Sequence, residues 1–265
     1  MVGRTTAIVA CLLASVASPA VAAEKIYAFS GTLDLSALLD GSVNPDWGFA
    51  DGQTFSGTFG YDPDRISYTN PDILNDPTWN LTYYYSPLTK LTYTIQTASG
   101  SYSYSPPIET LAGNPASSTL VRSGPGGGNG VFINASNYPA SWTGQQPVPV
   151  PASAYVGVYY PHSTFLSFGG APGLLPNSGP QIDFAALGAQ LGSTVNGSFT
   201  VRFSDPSLWP PGQERVNGIV SGSLSSLRLI SVVPEPSTWL MMILGSGVVG
   251  LGLRARRASS TLVRA

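Results

Sequence analysis

The sequence predicts an all-β protein: an antiparallel β-sandwich, jelly-roll-like or Ig-like, with long Gly/Pro-rich loops and one C-terminal transmembrane helix. The chain of 265 residues contains 30 glycines and 23 prolines, which disfavour long helices. Its 13 tyrosines and 10 phenylalanines, with frequent Thr and Val, suit half-buried strands. A hydrophobic fraction of 43% with only 10% charged residues is not the composition of a disordered chain.

The first two predicted strands share a four-residue core. Residues 26–33 and 54–61 both contain the sequence Phe-Ser-Gly-Thr. In the second segment Phe55 and Phe59 lie on one strand face, with Gly57 between them. The repetition predicts two similar strands that pair with each other.

Other segments alternate apolar and polar residues with the period of a half-buried strand. Residues 91–96 and 199–203 are the clearest, and Leu227 and Leu229 lie on one face of a last strand that runs to Ser231. The only helix predicted for this part of the chain is short, at residues 184–191.

One domain is predicted for residues 24–232. Its least strand-like part, residues 113–152, contains a run of glycines and a Pro-Val-Pro-Val-Pro segment, and it is predicted to be a long loop or a linker. A single sandwich with long insertions is preferred to two domains.

The N-terminus, residues 1–23, has the features of a secretory signal peptide. Arg4 precedes an uncharged, mostly apolar segment, and Ala22 and Ala23 supply small residues for signal peptidase. Cys11 lies in a sequence that resembles a lipoprotein signal, but the apolar segment continues beyond it. Signal-peptidase cleavage near Ala23 is therefore preferred to lipid attachment.

The C-terminus resembles a membrane anchor. Residues 237–253 carry no charge and would span about 25 Å as a helix, the short end for a bilayer. The basic cluster that follows consists of Arg254, Arg256 and Arg257. By the positive-inside rule these arginines and residues 258–265 stay in the cytoplasm, and the rest of the chain lies outside.

Residues 233–257 resemble the PEP-CTERM protein-sorting signal of Gram-negative bacteria. The triplet Pro234, Glu235 and Pro236, the apolar span and the basic cluster occur in the order of that signal. The resemblance implies a transient inner-membrane anchor and cleavage near the triplet by an exosortase, a membrane-embedded protease. It also implies release to the cell surface or the exopolysaccharide matrix, often in biofilm formers. The prolines favour the extended backbone that a protease cleft can engage.

Several chemistries are excluded by residue counts. Cys11 is the only cysteine and His162 the only histidine, so a disulfide within the chain and a Cys/His zinc cluster cannot form. A Ser-His-Asp triad would have to use His162. Residues 24–233 contain seven basic and thirteen acidic residues, a net charge of −6, which disfavours nucleic acid as a partner.

Three candidate sites remain in the body. Asp62 and Asp64 could contribute to a calcium site, but no EF-hand loop is present and an ordinary turn is preferred. Asp183 and Glu214 could act as glycosidase carboxylates, although no catalytic motif supports this pairing. Exposed aromatic residues could stack on sugars, or they could pack in the core. The aromatic candidates are Trp47, Trp79, Tyr83, Tyr84, Tyr85, Tyr102, Tyr104, Trp142, Tyr159, Tyr160 and Trp209.

The sequence as a whole predicts an exported protein with a structural or adhesive role in an extracellular polysaccharide matrix. No enzymatic activity, cofactor or nucleic-acid partner is expected. Two alternatives are a calcium-assisted glycan-binding module and a secreted glycan hydrolase.

Overall fold

A computed structural model of the chain describes residues 24–35, 47–66, 68–71, 80–85, 87–106, 108, 117–123, 129–136, 156, 160–170, 181–204 and 216–233. Residues Lys25–Ser231 belong to one compact unit. The predicted signal peptide, the transmembrane segment 237–253 and the tail 258–265 lie outside the described residues. Within the part of the chain that is described, no helix has both the length and the apolar composition needed to cross a bilayer.

Strands dominate the described residues, as predicted. They are β1 Glu24–Leu33, β2 Thr54–Tyr61, β3 Tyr68–Pro71, β4 Asn80–Tyr85, β5 Leu88–Thr97, β6 Gly100–Tyr104, β7 Ser117–Ser123, β8 Asn129–Ser136, β9 Tyr160–Gly170, β10 Val195–Ser204 and β11 Val216–Val233. They form one sheet in the order β3-β4-β7-β8-β9-β10-β11-β1-β2-β5-β6. The registered pairs are antiparallel, which confirms the all-β antiparallel prediction.

The two Phe-Ser-Gly-Thr segments pair directly, as their repetition predicted. In the register of β1 and β2, Phe29 lies opposite Gly57 and Phe55 lies opposite Gly31. Each glycine makes room for an aromatic ring, because a Cβ at Gly57 would collide with the Phe29 ring and a Cβ at Gly31 with the Phe55 ring. The repeat is therefore a packing device that places two phenylalanines side by side on the inner face of the sheet.

The sheet curls so that its two halves face each other across an aromatic core. Phe199 of β10 stacks on Phe55 of β2 with ring centroids 4.5 Å apart, although two strands separate β10 from β2 in the sheet. Tyr93 of β5 lies 5.1 Å from the Phe199 ring, and its hydroxyl is 3.5 Å from Thr164 Oγ1 of β9. These contacts join strands that share no backbone hydrogen bonds, so burial of the aromatic rings stabilises the curl.

A short helix, α1, covers part of this core. It spans Phe184–Ala189, close to the predicted residues 184–191, and begins at the N-cap residue Asp183. The Phe184 ring is fully buried and lies 5.1 to 5.8 Å from four other rings. Gly188 allows the helix to approach the Leu227 carbonyl of β11 more closely than a side chain would permit. The helix thereby links β11 to the core.

The segment 113–152, predicted to be a loop or linker, contains two strands of the sheet. β7 and β8 pair with each other, and their neighbours are β4 and β9. Val121, Val131 and Ile133 are buried, so these strands contribute to the core. The prominent Gly and Pro runs of this segment obscured its short apolar alternation. Residues 137–150 lie outside the described part of the chain.

Candidate functional site

The outer face of the sheet carries rows of hydroxyl side chains. Because apolar residues of β1, β2, β5 and β6 point to the core, the alternate positions point outward, and many of them hold Ser or Thr. One row crosses all four strands: Ser30 lies opposite Ser56, Ser56 opposite Thr94, and Thr94 opposite Ser103. The Oγ atoms of Thr94 and Ser103 are 2.8 Å apart. In the adjacent row, Thr58 Oγ1 lies 2.9 Å from Thr92 Oγ1.

A groove of about 430 Å³ lies over these rows. We call it the hydroxyl groove. It is lined by the hydroxyl residues Ser30, Ser56, Thr58, Thr92, Thr94 and Ser226, with Ala28 and Arg228, and by parts of Phe29, Gly57 and Tyr93. This site was not predicted from the sequence. The sequence pattern that could have predicted it is the alternation of Ser or Thr with buried residues on the three neighbouring strands β1, β2 and β5.

An irregularity in β11 brings Ser226 and Arg228 to the groove. Leu224 and Leu227 are both buried although they are three residues apart, so the alternation of the strand is reset between them. After this point Ser226 and Arg228 line the groove, whereas Leu229 and Ile230 are 40% and 50% exposed. Leu227 and Leu229 were predicted to share one strand face, but their burial differs.

Arg228 is the one charged residue among those that line the hydroxyl groove. Its side chain is exposed, and no carboxylate in the described ranges forms an ion pair with it. Its guanidinium group presents a planar set of donors that matches a carboxylate. The groove therefore combines many neutral hydroxyls with one positive charge.

The predicted acidic site forms a turn. Asp62 Oδ1 accepts a hydrogen bond of 2.9 Å from Asp64 N and caps a 3-10 helix at Pro63–Arg65. This confirms the turn. Among the described residues, no group of three or more His, Cys, Asp or Glu side chains comes together as a metal site. Calcium binding stays a prediction.

The aromatic candidates that can be placed are mainly core residues. Trp47, Tyr84, Tyr102 and Tyr104 are at most 9% exposed, and Tyr85 is half-buried. The Trp47 ring lies 5.1 Å from the ring of Phe203. Burial raises the pKa of Tyr102 well above its usual value. Tyr83 and Tyr160 belong to β4 and β9, and the remaining candidates, Trp79, Trp142, Tyr159 and Trp209, lie outside the described residues.

Asp183 has a structural role at the start of α1. Its Oδ1 accepts hydrogen bonds of 3.1 Å from the backbone N–H groups of Ala185 and Ala186. Burial, and secondly the charge of Asp183, raises the pKa of Tyr27 to about 12. Glu214, its predicted catalytic partner, lies outside the described residues, and His162 belongs to β9. Catalysis by the Asp183–Glu214 pair is untested.

Comparison with family models matches the C-terminal part of the chain. The model of the PEP-CTERM protein-sorting motif matches residues 232–257. The chain carries a PEP-CTERM sorting motif. This confirms the resemblance read from the Pro-Glu-Pro triplet, and it supports an exported protein that an exosortase processes. The matched segment begins within the last two residues of β11.

Comparisons with curated proteins and with solved structures gave no match. The residues predicted for sorting and cleavage lie outside the described residues, and their individual roles stay predictions. They are Pro234, Glu235 and Pro236 of the triplet, Arg254, Arg256 and Arg257 of the basic cluster, and Ala22 and Ala23 at the signal-peptidase site.

Proposed function

We propose that this protein is exported, held briefly in the inner membrane by its C-terminal segment, and cut by an exosortase near Pro234, Glu235 and Pro236. The released body then resides at the cell surface or in the exopolysaccharide matrix, where it has a structural or adhesive role. The observation that carries this proposal is the PEP-CTERM motif at residues 232–257, which begins within the last two residues of β11.

The body suits a binding or structural role outside the cell. The two facing halves of the sheet support the predicted β-sandwich form, and burial of aromatic residues between them stabilises this arrangement. The proposal includes neither catalysis nor a cofactor. The net charge of −6 for residues 24–233 disfavours nucleic acid, whereas the hydroxyl-rich outer face is compatible with a hydrated polysaccharide.

The test is the intact mass of the protein recovered from the surface or medium of its native host. The wild type is compared with Glu235→Ala in the triplet and with Glu109→Ala, a matched loss of one carboxylate outside the motif. We expect the wild type and Glu109→Ala to begin near Glu24 and to end near Pro234. Glu235→Ala should stay in the inner membrane with its C-terminal segment attached. A surface product that still contains residues 237–257 would contradict the proposal, since the segment would then be a permanent anchor.

A second candidate function is glycan binding, which the hydroxyl groove favours. Retention of the protein on an immobilised polysaccharide would support this role over a purely structural one. Loss of retention after addition of a chelator would support the calcium-assisted form. Equal retention with and without chelator would exclude a role for calcium in binding.

A further inference from the structure

We propose that the hydroxyl groove binds a polysaccharide that carries carboxylate groups, with Arg228 paired to a sugar carboxylate and the hydroxyl rows bonded to sugar hydroxyls. This inference rests on the proposed function, since export places the groove where such polymers occur. It adds a ligand class and the residues that recognise it.

The size of the groove suits a segment of a sugar polymer. Its volume of about 430 Å³ lies within the range of roughly 300–1,000 Å³ that is usual for small-ligand sites. Its lining crosses four neighbouring strands, β11, β1, β2 and β5. At a strand spacing of about 4.8 Å, this distance is about 14 Å, which exceeds the length of one sugar ring.

The hydroxyl groups of the groove divide into two kinds. Thr58 and Thr92 are hydrogen-bonded to each other, which fixes their orientation and leaves acceptor capacity for a ligand. Ser30 and Ser56 lie side by side in the register of β1 and β2, and their Oγ atoms have no partner among the described residues. Each of these two adjacent hydroxyls can donate a hydrogen bond to a sugar hydroxyl and accept one from it. Such bonds suit the uncharged hydroxyl groups of the ligand.

The charge of the groove selects a carboxylate. Neutral sugars would require only the hydroxyls, whereas Arg228 supplies a guanidinium that can bind a carboxylate through two parallel hydrogen bonds. No second cation lines the groove, and residues 24–233 carry a net charge of −6. This net charge repels polyanions in general, and it repels a densely sulfated polymer more strongly than a polymer with one carboxylate per sugar, whose attraction to the groove rests on Arg228.

Affinity at a single groove is expected to be modest. Arg228 is exposed, so its ion pair is screened by solvent and salt. A polymer with many carboxylates can contact many copies of the protein, and this multivalency strengthens retention without new contacts. Such binding suits a protein that is held in a matrix.

The experiment measures binding of the full chain, solubilised in a mild detergent, to immobilised polygalacturonate at low ionic strength. Neutral dextran and dextran sulfate serve as comparison polymers. We expect Arg228→Gln to weaken polygalacturonate binding roughly tenfold, and Arg228→Lys to weaken it less, because a charged donor remains. Ser56→Phe fills the groove without a change in charge, and we expect a similar loss. The matched control is Arg202→Gln, since Arg202 is exposed on β10, lies 4.8 Å above the Phe165 ring and is not part of the groove.

The variants separate a specific site from attraction by charge alone. Losses with Arg228→Gln and Ser56→Phe, and wild-type binding with Arg202→Gln, would support the proposal. Equal losses with both arginine variants, or normal binding by Ser56→Phe, would overturn it. Equal binding of dextran or stronger binding of dextran sulfate would overturn the assignment of a carboxylate ligand. Circular dichroism of each variant establishes that the strands are retained.

The outcome is independent of the sorting test. A chain that is processed and released, yet shows no preference for polygalacturonate, would refute the groove and leave the proposed sorting intact. A chain that binds polygalacturonate through Arg228 but stays uncut in the membrane would refute sorting and leave the groove intact.

Discussion

Replacement of Phe199 by alanine tests the curl of the sheet. Phe199 is fully buried, and its ring lies 4.5 Å from that of Phe55, 5.1 Å from that of Tyr93 and 6.0 Å from that of Phe29. These three rings belong to β1, β2 and β5, while Phe199 belongs to β10. The substitution therefore removes one of the rings through which the two halves of the sheet meet.

The expected loss follows from burial and from the cavity that remains. Burial of a phenylalanine side chain contributes roughly 1.5–3 kcal/mol, and incomplete collapse of the cavity raises the cost of Phe-to-Ala substitutions to about 3–5 kcal/mol. We expect the free energy of unfolding to fall by about 4 kcal/mol. At a urea dependence of about 2 kcal/mol per molar, the midpoint should fall by about 2 M.

The assay is urea unfolding of the processed protein, followed by tryptophan fluorescence. Thr200→Ala, on the opposite face of β10, is the control, and it should change stability by less than about 1 kcal/mol. A double-mutant cycle of Phe55→Ala with Phe199→Ala should give a coupling of about 0.5–1.5 kcal/mol. If Phe199→Ala shifts the midpoint no more than Thr200→Ala does, the facing arrangement of the two halves is wrong.

Two further predictions concern the inner face. Gly57→Ala should destabilise the protein by about 1–3 kcal/mol, because the added Cβ meets the Phe29 ring and a backbone carbonyl of β5. Urea unfolding measures this loss, with Ser56→Ala as the control. Equal urea midpoints for the two variants would contradict the prediction. Stability should also fall as pH rises from about 10 toward 12, because the pKa of Tyr27 is raised from 10.0 to about 12 and burial also raises the pKa of Tyr93 well above its ordinary value. The folded state then holds protons that the unfolded state has released, so stability is constant below pH 10 and declines above it. The urea midpoint should fall between pH 10 and pH 12, and an unchanged midpoint would refute this.

Much of the fold could be predicted because strand signals are local. The alternation of residues 91–96 and 199–203 places Tyr93 and Phe199 on buried faces, and the repeated Phe-Ser-Gly-Thr predicts the pairing of β1 with β2. The helix at Phe184 and the turn at Asp62 have equally local signals, a capping carboxylate before each element.

The positions of the aromatic candidate residues could not be predicted from local sequence signals. Composition cannot distinguish a ring that faces solvent from one that faces the core, and Trp47, Tyr102 and Tyr104 were candidates for both. Only the contacts between distant strands placed them in the core.

The sorting motif and the hydroxyl groove differ in the same way. The sorting motif consists of consecutive residues, Pro234 to Arg257, because a membrane protease and a bilayer recognise a linear segment of chain. The sequence alone was therefore enough to identify the motif. The groove joins Ser30, Ser56, Thr94 and Arg228, which are far apart along the chain. Strand register and the reset of alternation in β11 bring them together, and both depend on how the chain buries its aromatic residues. The tertiary structure therefore decided which hydroxyls share a surface and which cation lies beside them.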